Sequence, residues 1–120
     1  MRVDRELMRG AGPTAVLKLL ESGEKYGYEL VERLEQQSQG VLAMGQSTLY
    51  PLLYNLEAQG LVKAEWRETE SARGRKYYRL TPQGKKRLAA DVEQWQALLQ
   101  AMTSLGILAD ETPALKGANA

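Results

Sequence analysis

Residues 46–60 read QSTLYPLLYNLEAQG. Leu49, Leu52, Leu53 and Leu56 fall at i, i+3, i+4 and i+7, the spacing that lines one side of an α-helix with apolar surface. The rest of the stretch carries Ser47, Thr48, Tyr50, Pro51, Tyr54 and Asn55, where an ordinary solvated face would carry charges. Ser47 or Thr48 suits the N-cap, because its oxygen accepts from an orphan backbone N–H. Pro51 then belongs in the first turn, where a missing donor costs little. Gly60 fits the left-handed position that ends a helix. The stretch predicts a helix over 47–58 with a leucine side for a core and an outer side of hydroxyls, rings and an amide. Tyr50 and Tyr54 have two readings at this stage: they cover neighbouring core, or they contact a partner.

Upstream, YGYELVERLEQQS predicts a second helix over 26–38. Its apolar side is Gly27, Leu30, Val31 and Leu34; Glu29, Glu32, Arg33, Glu35 and Gln36 lie outward, and Gly40 marks its end. GVLAMG at 40–45 is a connection. Before it, TAVLKLLES is helical, with Pro13 in the first turn and Gly23 as the stop. Gly10 and Gly12-Pro13 are expected to separate a short segment, Asp4 to Arg9, from that helix. Downstream the period changes to two. Val62, Ala64 and Trp66 alternate with Lys63, Glu65 and Arg67, and Tyr78 and Leu80 alternate with Tyr77 and Arg79, which predicts two half-buried strands. The polar ETESARG between them makes a hairpin with a long tip. Thr81-Pro82 is an N-cap followed by proline at the first helical position. The helix it opens places Leu88, Val92, Trp95, Leu99 and Met102 at steps of four, three, four and three, a heptad seam. The final LADETPALKGANA has little to pack.

The chain has 120 residues, of which 43% are hydrophobic and 26% charged, with a net charge of +1. This suits one modest core. There is no cysteine and no histidine. Disulfides, thiolate metal sites, imidazole ligands and the commonest general base are thereby excluded. No cluster of converging carboxylates replaces them, so no enzyme, no metal and no cofactor is expected. No run is apolar enough to span a bilayer and the start lacks a signal-peptide core, so a cytoplasmic location is expected.

Three helices followed by a two-stranded hairpin is the order of a winged helix-turn-helix, a mainly α (α+β) fold in which the third helix enters the DNA major groove and the hairpin touches the backbone. Hydroxyls and amides bond base edges or phosphates, and rings pack on thymine methyls or sugars. From Arg73 to Arg87 the basic residues Arg73, Arg75, Lys76, Arg79, Lys85, Lys86 and Arg87 are interrupted by no Asp or Glu. Acids gather elsewhere, at Glu29, Glu32 and Glu35. Charge polarised at near-zero total suits a polyanion bound on one side. A winged-helix protein–protein module without DNA is the rival reading, and the basic run argues against it. The last helix either folds back on its own domain or pairs with the same helix of a second chain as a twofold dimer, the second being favoured because a small core already covers itself. Trp95 is either plain core or a flat ring offered to an aromatic ligand between subunits.

KYGYEL at 25–30, STLYPLLYNLEAQGLV at 47–62, Trp66, and GRKYYRLTPQG at 74–84 together resemble the PadR family of transcriptional regulators. The resemblance covers about residues 5–105. It implies a homodimeric winged-helix repressor of its compact subgroup, with a single C-terminal dimerisation helix. It further implies binding to pseudo-palindromic double-stranded operator DNA, and release by a small, often aromatic, effector. By position, Ser47, Thr48, Tyr50 and Pro51 match the recognition-helix motif, Tyr26 a phosphate contact, and Gly74, Arg75 and Lys76 the wing. Trp95 lies where some relatives place an effector-facing tryptophan. The expected organisation is a DNA-binding domain over 1–80, a dimerisation helix over 81–106 and a disordered tail over 107–120. The expected DNA contacts are Tyr26, Ser47, Thr48, Tyr50, Pro51, Tyr54, Asn55, Arg73, Gly74, Arg75 and Lys76. Leu88, Val92, Trp95, Leu99 and Met102 form the expected dimer seam.

Overall fold

A computed structural model describes residues 1–68 and 74–109. These form four helices and three strands: α1 (Arg5–Glu21), β1 (Lys25–Tyr26), α2 (Gly27–Gln37), α3 (Gln46–Ala58), β2 (Val62–Arg67), β3 (Arg75–Leu80) and α4 (Pro82–Ser104). Met1–Ala89 form one compact unit, and a second begins at Ala90. Arg73 and the tail from residue 110 lie outside the described residues.

The core of the first unit is aliphatic. Leu49, Leu53 and Leu56 of α3 meet Val16, Leu17 and Leu20 of α1 and Leu30 and Leu34 of α2. Val62, Tyr78 and Leu88 close it from the sheet and the start of α4. Each such aliphatic side chain contributes about 1.5–3 kcal/mol relative to exposure. The leucine stripe therefore fixes which side of α3 points outward. α3 ends as expected: Gly60 has φ +75°, and the Leu61 N–H reaches the Leu56 carbonyl while the Gly60 N–H reaches Glu57. This pair of bonds satisfies carbonyls the helix would otherwise orphan.

The sheet is antiparallel in the order β1-β3-β2. The hairpin is as the alternation predicts, with Val62 opposite Leu80 and Ala64 opposite Tyr78. β1 is an addition: Lys25 and Tyr26 pair with Tyr78 and Tyr77. Two residues are too few to show a period, so this strand exists because β3 has a free edge within reach of the α1–α2 connection.

Three local expectations need correction. First, no break follows Arg9; α1 runs unbroken through Gly10, Gly12 and Pro13. Asp4 caps it by accepting from the Leu7 N–H at 3.1 Å. Gly12 is buried, and a Cβ there would stand 3.3 Å from both Leu52 Cδ1 and Met44 Cε. Packing against α3 and its lead-in thus holds a helix that propensity alone would break. Second, Gly45 is the N-cap of α3 and provides no side-chain bond. Ser47 and Thr48 lie inside the helix, so their hydroxyls are not used as caps, and Pro51 sits in the second turn. Third, Trp66 is not turned into the core but 69% exposed. It lies opposite Lys76 near the outer end of the hairpin.

The start of α4 follows the sequence closely. Thr81 Oγ1 accepts from the Gly84 N–H at 2.9 Å and lies within hydrogen-bonding distance of the Gly60 and Leu61 carbonyls, at 2.7 and 3.0 Å. The Thr81 N–H donates to Leu61 at 3.1 Å. Gly84 presses directly on that segment: a Cβ would fall 2.0 Å from the Leu61 carbonyl oxygen. The LTPQG motif is thus a helix cap followed by the residue that lets the helix approach the backbone behind it.

Candidate nucleic-acid interface

With its leucines inside, α3 exposes Ser47, Thr48, Pro51, Tyr54 and Asn55. Tyr50 is different. It is half-buried against the core, and its ring lies over Gly27, where a Cβ would be 2.5 Å from the hydroxyl. Gly27 at the start of α2 thereby makes room for a ring that ties α2 to α3. Pro51 cannot donate to the Ser47 carbonyl, which therefore lacks its usual helical donor. The single acid of α3, Glu57, is turned towards the sheet, 3.8 Å from Lys76 Nζ. The outward surface of α3 is therefore polar, and its one negative charge is paired with Lys76.

Across the hairpin edge, aromatic and cationic groups stack in series. The Arg75 guanidinium lies 4.3 Å from the centroid of the Tyr26 ring. Tyr26 meets Tyr77 edge-on at 5.6 Å, and Arg67 lies 4.8 Å from the Tyr77 centroid. These are cation–π distances. Tyr26 is half-buried, and the β1–β3 pairing brings it beside the wing. Arg75 remains exposed, and so do Gly74, Arg79, Lys85, Lys86 and Arg87. Gly74 lies close to the facing strand, where a Cβ would be 3.0 Å from the Arg67 carbonyl oxygen. Arg67 itself is spoken for. Its Nη2 donates to Glu24 Oε2 at 2.6 Å while Nη1 donates to Oε1. That bond to Arg67 holds the Glu24 carboxyl below the usual carboxylate range, with burial acting the other way. The bond to Glu24 in turn raises Arg67 above its ordinary value.

Lys76, placed with the phosphate contacts by its wing position, turns inward. Its Nζ lies 5.2 Å from the Tyr54 centroid and 5.6 Å from that of Tyr78, with its side chain 23% exposed. Sequence reasoning missed four supporting residues: Glu24, Lys25, Glu57 and Arg67. Glu24 and Arg67 are far apart in the chain, and only the sheet joins them. Lys25 did carry a signal, being a lysine just beyond a helix-ending glycine. It is 5% exposed, and its ammonium lies 2.9 Å from the Leu19 carbonyl, 2.9 Å from Ser22 Oγ and 3.1 Å from the Gly23 carbonyl. Burial pushes it below the usual lysine value; Arg33 adds to this and Glu29 opposes it.

In the second unit, Val92 and Leu99 of the expected seam are exposed, as are Leu98 and Leu105, while Trp95 and Met102 are half-buried. Leu88 is enclosed by its own core at 2% exposure, so the unpartnered stripe begins at Val92. No helix among the described residues is long and apolar enough to cross a membrane.

Helices α1 to α3 with the β2–β3 hairpin define a winged helix-turn-helix. The model of the transcriptional regulator PadR-like family matches residues 16–90. The chain is 36% identical over 87 residues to transcriptional regulator Rv3488 of Mycobacterium tuberculosis, covering 72% of this chain and 78% of that protein. The crystal structure of a PadR family transcriptional regulator from Eggerthella lenta superimposes with a TM-score of 0.73 at 39% identity, covering 83% of this chain and 85% of that one. Bacillus subtilis PadR, solved in complex with operator DNA, gives a TM-score of 0.63 at 26% identity over 67% of this chain and 45% of its own. The chain belongs to the PadR-like transcriptional regulator family, a family of regulators rather than enzymes.

Proposed function

We propose that the protein is a homodimeric repressor that binds pseudo-palindromic operator DNA. In this reading α3 enters the major groove with Ser47, Thr48, Pro51, Tyr54 and Asn55 outward. Tyr50 sets the angle between α2 and α3. Arg75 and Tyr26, with Arg73 and Gly74 at the wing, meet the phosphate backbone. The observation that carries the reading is the outer side of α3: held by buried leucines, it displays hydroxyls, rings and an amide, and the helix's one acid, Glu57, is half-buried and paired with Lys76. The operator complex of the Bacillus subtilis relative supports it.

The division of labour places DNA binding in residues 1–80 and dimerisation in 81–106. The stripe from Val92 through Leu99 to Met102 packs against its copy in a second chain, so that two recognition helices stand one DNA turn apart. Trp95 lies on that stripe, where a small aromatic effector inserted between subunits changes their angle and releases DNA. The test is selection of bound sequences from random double-stranded DNA, repeated with aromatic compounds, alongside sedimentation of the protein and of Leu99→Glu. A two-half-site consensus, and a substitution that yields monomers with weakened operator binding, are expected. Sequence-blind recovery, or a wild-type monomer at working concentration, refutes the reading.

A further inference from the structure

We propose that Lys76 is a positioning residue for sequence discrimination: from β3 it fixes the Tyr54 ring on the outer side of α3, and it contacts no phosphate itself. The inference rests on the reading of α3 as the groove-reading helix. Lys76 sits in the most basic stretch of the chain, beside Arg75, and carries the same charge. The fold separates them. Arg75 is exposed, whereas the Lys76 side chain is 23% exposed and its ammonium is turned towards α3. There it meets Glu57 Oε1 at 3.8 Å and lies 5.2 Å from the centre of the Tyr54 ring.

The arrangement has a physical logic. A tyrosine 57% exposed on a helix surface can occupy several rotamers. Fixing one before binding lowers the ordering cost that binding would otherwise carry. A cation over the ring favours one of them. Glu57, one turn from Tyr54 on the same helix, neutralises that cation and keeps it from reaching outward. Because the pair is close to neutral, it adds little to the long-range attraction for a polyanion. Its effect falls on which sequence is bound, through Tyr54, rather than on how strongly any sequence is bound.

The experiment uses the full chain and the charge-balanced variant Lys76→Met/Glu57→Gln, with Tyr54→Ala and Lys76→Arg as companions. Binding to a selected operator and to a scrambled duplex is titrated by fluorescence anisotropy over a range of salt. The charge-balanced variant should retain the wild-type slope of log K against log salt. Its preference for operator over scrambled DNA should fall about two- to fivefold, the value of an exposed cation–π contact. Adding Tyr54→Ala to it should lower that preference no further than Tyr54→Ala alone does, and Lys76→Arg should keep it. A slope reduced by about 0.9, with equal loss on both duplexes, identifies Lys76 as a phosphate ligand and overturns the proposal. Additive losses with Tyr54→Ala overturn it too. If the wild-type chain itself shows no preference for any duplex, the groove-reading assignment fails first, which is a different result.

Discussion

Replacing Gly84 by alanine tests the close approach of helix and backbone at the start of α4. In an ordinary helix this change stabilises, by up to about 1 kcal/mol. Here the new Cβ would stand 2.0 Å from the Leu61 carbonyl oxygen and 3.0 Å from the Leu61 carbonyl carbon. Carbon–oxygen contacts begin at roughly 3.3 Å, so the first turn of α4 must move by about 1.3 Å. The obstacle is backbone, and no side-chain rotation relieves it. A shift of that size stretches the contacts of Thr81 with Gly60 and Leu61, at 2.7, 3.0 and 3.1 Å, beyond bonding range. The Thr81 hydroxyl has one proton to share between the two carbonyls, so two donors are lost, roughly 2 kcal/mol at about 1 kcal/mol each, and the helix-propensity gain offsets about 1. The expected net loss is about 1 kcal/mol, or roughly 4–8 °C in Tm for a unit of this size. Urea and thermal denaturation followed by circular dichroism read both quantities. Gly10→Ala is the internal control. It lies in α1, and a Cβ there meets nothing within 4 Å, so it should raise stability by about 0.5–1 kcal/mol. Equal or greater stability in Gly84→Ala would refute the reasoning.

Tyr78 is 1% exposed, and its hydroxyl has no hydrogen-bond partner among the described residues. Tyr78→Phe should therefore be neutral or slightly stabilising at pH 7. Burial, aided by Tyr54, Glu57 and Tyr50, pushes its pKa from 10.0 up to about 12. The unfolded chain then loses this proton first, so the contribution is full below pH 10 and is lost as pH rises towards 12, by roughly 2–3 kcal/mol. Alkaline denaturation of Tyr78→Phe should lack that slope; an unchanged slope would rule out the burial argument. Lys25→Met removes the ammonium at the end of α1 and should cost about 1–3 kcal/mol. The Lys25 pKa is depressed in the fold, so the folded chain sheds this proton first as pH approaches 10.5, and the wild type gains stability across that window relative to Met. Urea midpoints measured from pH 8 to 10.5 check the sign. Arg75→Ala should weaken operator and scrambled DNA alike and flatten the salt slope by about 0.9 in an anisotropy titration; a loss confined to operator would reassign it to base reading.

The positions of α2, α3, the hairpin and α4 were legible because each rests on a short-range regularity: leucines at helical spacing, apolar residues in alternation, a Thr-Pro start, a glycine stop. The motif carrying the family resemblance was legible for the same reason, since LTPQG is a cap and a close approach written in consecutive residues. Local rules failed where packing outweighed them. α1 continues through two glycines and a proline because Gly12 fits against Leu52 and Met44. β1 exists because β3 has an open edge.

The sequence by itself determined that the outer side of α3 would be polar and uncharged, and that basic residues would gather around the wing. Which of those basic residues remain free to meet a ligand was decided by the tertiary structure alone. Arg67, Arg75 and Lys76 have the same charge, but the sheet register brings Arg67 to Glu24, Arg75 to Tyr26 and Lys76 to Glu57. The side-chain period along a strand tells which side of the sheet a residue occupies. It cannot tell which helix or loop lies across from it, and those distant partners determine whether a charge is free to meet a ligand or already neutralised.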